Sequence, residues 1–396
     1  MQALWLLRHG YRPDATARAA SAMAIGSFLL GATSLGAQPP VAGSTPAVTS
    51  DASGAELFRA ACATCHGLDG SGAPSSVVGF SLPLPNGHAF PDFTNCATNT
   101  VEPSSDWIAV THSGGPVRGL DRHMPAFGDA LSNEQLERVV GHLRTFCHDD
   151  SWPRGDLNLP RGLFTEKAFP ENEVLFFSSS RPGLTGLTEN LVYERRFGSR
   201  GTWEIAVPFG IGQTEAGGPW RRGIGDVEVT VRQTVHASHA RGTIVAVGGA
   251  IVLPTGKESV GLGNGYTIIE PLLLAAQILG DNGFVQVQTG YELASDQRKG
   301  VNESFARVAV GYTWTQVAGR GRAWTPMAEV LFAKPSKATA EWDVVPQMQL
   351  SLSKLQHVLL NVGMRVPLTE RAQRRAQLVT YLLWDWFDGG LFQFWK

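Results

Sequence analysis

Through the C-terminal half of the chain, apolar and polar residues alternate one by one. Val227, Val229, Val231 and Val235 are interleaved with Asp226, Glu228, Thr230, Arg232 and Thr234. The pattern recurs in Trp203, Ile205, Val207 and Phe209, opposite Thr202 and Glu204, and in Val308, Val310, Tyr312 and Trp314, opposite Arg307 and Thr313. It returns through Trp342, Val344, Met348 and Leu350, and through Val358, Leu360, Val362 and Met364. A two-residue period puts one kind of side chain on each face of a strand. About twelve such strands of roughly ten residues follow one another, long enough to cross a bilayer when tilted. Turn signals such as Gly280-Asp281-Asn282-Gly283, Ala318-Gly319-Arg320-Gly321 and Asp388-Gly389-Gly390 separate them. A soluble β-sandwich alternates too, but no Greek-key interruption is visible and the polar face is heavily charged, which suits a wet lumen. Aromatic residues near strand ends suit interfacial girdles, and the chain ends Phe392-Gln393-Phe394-Trp395-Lys396.

Composition fits a membrane barrel. The 396 residues hold 33 Lys+Arg against 35 Asp+Glu, so no long-range field draws the chain to nucleic acid. Charged residues are 17% of the chain, below the roughly 25% of soluble domains. Beyond the N-terminal segment no uncharged apolar run reaches about 18 residues, so a helical membrane protein is not expected. Residues 1–37 read as a secretory signal: Arg8, Arg12 and Arg18 precede an uncharged stretch with Ile25, Phe28, Leu29, Leu30 and Leu35. An uncleaved anchor helix is the rival reading. Residues 38–53, rich in Pro, Ser, Thr and Ala, read as a linker.

The most specific motif is Cys62-Ala63-Thr64-Cys65-His66. C-x-x-C-H is the attachment pattern for c-type haem: Cys62 and Cys65, one helical turn apart, form thioethers, and His66 ligates iron. A redox dithiol would not need His66, and a zinc site would need a second ligand pair. Met124, in His123-Met124-Pro125, is the only methionine between residues 52 and 150 and is the candidate sixth ligand. His88, His112, His123 and His142 are its rivals. His/Met ligation favours electron transfer by raising the reduction potential. The remaining cysteines, Cys96 and Cys147, form an even leftover pair in an exported domain and are a candidate disulfide, with two separate buried thiols as the alternative.

Ser53/Glu56 and Ser132/Gln135 form capping-box patterns before apolar helical faces, the second carrying Leu136, Val139, Val140 and Leu143. A helix leading into C-x-x-C-H, a Met-Pro loop and a closing amphipathic helix resemble the class I cytochromes c over roughly residues 52–148. The resemblance implies covalent and axial haem roles for Cys62, Cys65, His66 and Met124, and one haem c as cofactor. Further on, Gly223-Ile224-Gly225-Asp226 and Leu253-Pro254-Thr255-Gly256 resemble the porin-like family linked to meta-pathway phenol degradation, over about residues 186–395.

The expected fold is therefore an all-α cytochrome c domain (54–150), a Pro- and Gly-containing linker (151–170), and an antiparallel transmembrane β-barrel of about twelve strands (171–396). The combination resembles the fused outer-membrane cytochrome–porins of iron-oxidising bacteria, which implies electron exchange with a partner protein or a small external donor such as ferrous iron. A twelve-strand barrel is roughly 24 Å across its backbone, whereas a domain of this size is about 30 Å across. The haem domain is thus expected at the periplasmic mouth or hanging on its linker. An outer-membrane transporter for small compounds, aromatic ones among them, with an accessory cytochrome is the alternative function. Gly256-Lys257-Glu258 is no P-loop, and Gly261–Gly265 opens no helix. No hydrolytic triad or carboxylate pair marks an enzyme. Glu194, Arg196, Glu228, Arg232, Glu329 and Arg365 are expected as salt-bridged lumen walls.

Thiol titration of unreduced, denatured protein is expected to find no free thiol, Cys62 and Cys65 being thioethers and Cys96 and Cys147 paired. Two free thiols would remove the disulfide.

Overall fold

The structure, a computed structural model, describes residues 49–72, 90–118, 120, 122–180, 186–213, 217–258, 262–317, 320–353, 356–372 and 374–385. The expected signal at 1–37, most of the first linker, His88 and the aromatic C-terminus lie outside them.

Five short helices occupy the described part of the N-terminal region: α1 (Gly54–Ala61), α2 (Ala63–His66), α3 (Cys96–Thr100), α4 (Ser104–Ser113) and α5 (Asn133–Arg144). Both capping boxes form: the Ser53 and Ser132 side chains accept from the backbone N–H groups of Glu56 and Gln135, and those side chains reach back. They satisfy N–H groups that a helix start leaves unpaired. Leu57 and Phe58 on α1 bury against Val139 on α5, with Phe58 tilted onto Phe146. The apolar face expected for α5, Leu136, Val139, Val140 and Leu143, is buried throughout. α1 crosses α5 at Gly54, where a Cβ would fall 2.1 Å from the Arg138 carbonyl oxygen.

The described residues between 173 and 385 form fourteen strands: β1 (Glu173–Ser180), β2 (Gly186–Phe197), β3 (Gly201–Gln213), β4 (Trp220–Ile224), β5 (Val227–Ser238), β6 (Thr243–Leu253), β7 (Ile268–Leu279), β8 (Gly283–Ala294), β9 (Glu303–Tyr312), β10 (Trp314–Val317), β11 (Arg320–Pro335), β12 (Glu341–Ser351), β13 (Val358–Pro367) and β14 (Gln377–Asp385). β4 with β5, and β9 with β10, are each one long strand broken at a bend. β3 pairs β4 through its far half and β5 through its near half, and β11 pairs β9 and β10 in the same way. β14 pairs β1, with Glu173 opposite Asp385, and the ring closes as an antiparallel barrel of twelve strands. Closure leaves no open edge, which a bilayer-spanning sheet requires.

The barrel is apolar outside and polar inside. Val231, Val247, Ile251, Ile269, Leu273, Val310, Val330, Met348 and Val362 are exposed, whereas Glu194, Thr230, Arg232, Gln288, Glu329, Gln347 and Asn361 are buried. On β11 the outward row runs from Trp324 to Phe332, which is tilted against Trp342. At ~3.3 Å per residue and a tilt near 40° these aromatics stand roughly 20 Å apart along the barrel axis, close to the ~25 Å apolar band of such barrels.

The lumen differs from the wet channel of the sequence reading. The segment read as a linker at 151–170 enters the barrel and fills it. Backbone N–H groups of Leu163, Phe164 and Thr165 donate to the Glu329 carboxylate at 2.7–3.2 Å, as does the Thr165 hydroxyl. The Arg161 guanidinium pairs with Glu173 and Glu194, Lys167 with Glu171 and Glu173, and Glu166 with Arg232. Arg161 and Pro160 offer their carbonyls to Tyr381 Oη and Gln286 Nε2, and Ala168 its carbonyl to Thr234 Oγ1. Leu163 packs with Leu175, Val192, Leu331 and Val345; Leu157 and Phe169 pack with Ile244 and Leu274. Three prolines and two glycines make the segment aperiodic, and wall side chains satisfy its backbone in place of a ladder.

The expected wall ion pairs hold for Glu194 and Arg232 with each other, and for Arg365 with Asp343. Three wall residues behave otherwise. Glu329 binds plug N–H groups, and Arg196 donates to the Ser199 carbonyl while lying over the Trp152 and Phe169 rings. Glu228 accepts from Thr230 Oγ1.

Gly54→Ala is expected to destabilise the N-terminal domain by about 1–3 kcal/mol, since the overpacked crossing outweighs the higher helix propensity of Ala. Thermal loss of helical circular dichroism measures it, and an unchanged or raised midpoint would contradict this crossing.

Candidate haem site and its seat on the barrel

Cys62 closes α1 and opens α2, with its N–H on the Phe58 carbonyl at 2.8 Å. The N–H groups of Cys65 and His66 both return to the Cys62 carbonyl, at 3.1 and 3.0 Å. This single turn carries both thiols and the imidazole on one short helix. Cys62 is buried and Cys65 half-buried, and neither is in a disulfide. Burial, and then the neighbouring Cys65, push the Cys62 thiol up to about 12. His66 is buried, and desolvation pushes its imidazole down to about 4, so it is neutral with a lone pair to donate. Its Nδ1 is buried without a hydrogen-bond partner. Such an orphaned ring nitrogen costs on the order of 1–3 kcal/mol in a site made only of protein. The donor set of two thiols and a neutral imidazole on one turn fits a covalently attached haem.

Aromatic rings wall His66. Phe93 lies 5.0 Å from it between centroids and Phe90 6.1 Å; Phe93 meets Trp107 of α4 edge-on at 5.6 Å. Phe93 is fixed by Asn99, fully buried, whose Nδ2 donates to the Phe93 carbonyl at 2.6 Å and to the Leu143 carbonyl at 3.0 Å. Periodicity and motif reading missed Phe93, Asn99 and Trp107, since none stands at a diagnostic spacing from Cys62.

Met124 is half-buried beyond the C-terminal end of α4. Its carbonyl accepts from Gly115 N–H at 3.0 Å, and Phe127 and Gly128 N–H return to the Thr111 and His112 carbonyls. The same helix thus bears Trp107 behind His66 and, at its end, the loop of Met124. Of the rival histidines, His112 faces Ser113 Oγ at 3.0 Å, His142 stands edge-on to Phe58 and Phe146, and His123 is exposed. Cys96 is bonded to Cys147, tying α3 to the chain just after α5.

The domain is seated on the barrel end where β1 starts and β14 finishes. Arg200, in the turn after β2, donates to the Ser151 carbonyl at 2.5 Å, and Ser151 Oγ meets Ser199 Oγ at 3.0 Å. Asp156 accepts from Ser104 N–H at the start of α4 and faces His239 beyond β5. Gly155 lies so close to the Val101 carbonyl that a Cβ would sit 2.1 Å from its oxygen. Of the two expectations, docking at a mouth or hanging on a linker, the structure has docking. Beside this seat Arg118 pairs with Asp106 and, at 3.4 Å, with Glu102. Burial, followed by the Asp106 charge, holds the Glu102 carboxyl well above the usual range.

Residues 49–143 match the family described as cytochrome c oxidase, cbb3-type, subunit III. They form a c-type cytochrome domain. A haem cofactor follows from that domain. No curated protein matches the chain. Solved structures similar to it include an outer membrane channel from Pseudomonas putida F1 (12% identity, TM-score 0.44, covering 58% of this chain and 100% of that one). The KdgM porin (11%, 0.36, 54% and 99%) and the NanC porin (9%, 0.37, 54% and 98%) are also similar. The matched residues end within α5 and the chain runs on into the plug, so a c-type cytochrome domain is joined to a twelve-strand antiparallel β-barrel.

Because the Glu102 carboxyl is raised, the folded state holds its proton more tightly than the unfolded chain does. Its contribution to stability therefore falls as pH rises above about 4.5 and stops falling once the folded value is passed. Glu102→Gln is expected to lessen the stability lost between pH 5 and pH 8. Denaturation of both proteins at the two pH values measures this; equal losses would show that Arg118 keeps the carboxyl ionised.

Proposed function

We propose that this chain is an outer-membrane electron-transfer protein. One haem c is held covalently by Cys62 and Cys65, and its iron is ligated by His66 and Met124. The observation that carries the reading is the buried, neutral His66, with an unpartnered ring nitrogen directly after two unpaired thiols. The group supplies a reversible one-electron couple when bound. Phe90, Phe93 and Trp107 exclude water from the His66 side, and a drier, less polar surround favours the reduced state. The Met124 loop, held by Gly115 and Thr111, supplies a soft sixth ligand in place of an open coordination position.

The remaining assignments belong to the same proposal. Residues 1–37 direct export, 54–150 form an all-helical haem domain, and 171–396 anchor it in the outer membrane. The continuous apolar outer face supports the anchoring. The haem domain lies on the side of the barrel termini, which is the periplasmic side in such barrels. Electrons pass to or from a redox protein or small molecule; the Cys96–Cys147 bond braces the domain. The filled lumen favours an anchor over the open pore of a transporter, because passage through it would require breaking the buried Arg161, Glu166 and Glu329 contacts.

The test is spectroscopy of the full chain in detergent. A covalent c-type haem spectrum with a near-infrared methionine-to-ferric charge-transfer band is expected. In Met124→Ala the thioethers stay, the band disappears, the potential falls and cyanide binds. An unchanged band and potential would remove Met124 as ligand, and no covalent haem in the wild type would remove the reading.

A further inference from the structure

Among the described residues the outer face of the barrel carries a recess at the end away from the haem domain. β4 pairs only with β3, and the chain after β6 comes back over its other side, with Thr255 Oγ1 accepting from Val227 N–H at 2.9 Å and donating to the Gly225 carbonyl at 3.1 Å. Between them lies a cavity of about 690 Å³, lined by Glu189, Phe209, Ile211, Arg222, Ile224 and Lys257. The pairing register sets its floor. Glu189, Phe209 and Ile224 stand in one row across β2, β3 and β4, and Ile211 and Arg222 stand in the next. Directly paired residues share a face, so these side chains project outward with exposed Ile211 and Ile224.

The charges are not used up within the protein. Among the described residues neither Arg222 nor Lys257 has a carboxylate partner, whereas other cations of this mouth, Arg298 and Lys299, do. One Glu189 oxygen accepts from Ser178 Oγ at 3.0 Å, and the other is buried without a donor. Two free cations beside an apolar floor, with an acceptor at its rim, call for an amphiphile with a phosphate, an acyl chain, and a hydroxyl or amide N–H. Trp220, 57% exposed and next to Arg222 on the same face, marks the depth as interfacial. We propose that this recess binds a phosphorylated glycolipid of the outer leaflet. Arg222 and Lys257 hold the phosphate, Phe209, Ile211 and Ile224 the acyl chain, and Glu189 a headgroup donor. The proposal rests on the outer-membrane reading above.

Native mass spectrometry of the full chain, released from detergent with added lipid, tests it. Bisphosphorylated lipid A is expected to stay bound, and its dephosphorylated form and phosphatidylcholine to bind at least tenfold more weakly. Millimolar inorganic phosphate should not compete. Arg222→Ala combined with Lys257→Ala should lose at least tenfold in affinity, while Lys337→Ala, a charge loss elsewhere at the same mouth, should not. The haem spectrum and heat-modifiable gel mobility report that each variant is folded. Equal retention of the phosphorylated and dephosphorylated lipids by the wild type would overturn the proposal whatever the variants do, as would full retention by the folded double variant. Failure of the wild type to insert into bilayer vesicles would instead remove the outer-membrane reading and the recess with it; a barrel that inserts but binds no phosphorylated lipid loses the recess alone.

Discussion

Glu194 is fully buried inside the barrel, and two guanidiniums converge on it. One, Arg232, comes from the wall; the other, Arg161, comes from the segment that precedes the first strand. Arg232 also reaches Glu204 and Glu166. A carboxylate withdrawn from water is tolerable only when paired and hydrogen-bonded. The bilayer forces apolar side chains outward, so the wall's polar residues must be satisfied inside. Water could do that in a wide barrel. In this twelve-strand barrel the chain's own residues 157–171 do it, and the plug is thereby part of how the wall tolerates its charges.

That arrangement has a consequence for the haem domain. The plug is continuous with α5 through residues 145–156, and several of these are pinned as well: Ser151 to the turn after β2, Gly155 against Val101, Asp156 to the start of α4. A segment that leaves one domain and is locked into the next at both ends does not act as a tether. The domain's position on the barrel mouth is set by packing, as is the orientation of α4, which bears Trp107 behind His66 and leads to the Met124 loop.

Much of this was legible in the sequence because it depends on local spacing. The two-residue period announced strands and their inward and outward faces, and the ring of twelve matches the count. Ser53/Glu56 and Ser132/Gln135 announced helix starts three residues apart. Cys62, Cys65 and His66 sit on one turn, so their convergence needed no tertiary information. The plug was not legible. Its partners are Glu329, some 166 residues from Leu163, and Tyr381, 220 residues from Arg161. A Pro- and Gly-bearing stretch with no period looks the same whether water or a protein wall satisfies its backbone. Glu329 was misjudged for the same reason: as a lone acidic strand residue it suggested an ion pair, while its partners are three backbone amides, the Thr165 hydroxyl and the Gln347 side chain.

The plug also bears on how electrons can move. The single haem proposed above cannot span a hydrocarbon core of ~30 Å, and an open lumen would let a small donor approach the haem domain from the far side. The plug tip at Leu163–Thr165 stands in that route, with a cavity of about 250 Å³ beside it lined by Arg161, Phe164, Phe177, Glu204, Glu228 and Arg307. A diffusing donor entering from the far mouth would be stopped there, on the opposite side of the plug from His66. With the lumen so closed, exchange at the haem domain is open to partners on its own side of the membrane. A partner on the far side would have to couple through the plug, or break its Arg161–Glu194–Arg232 contacts to pass.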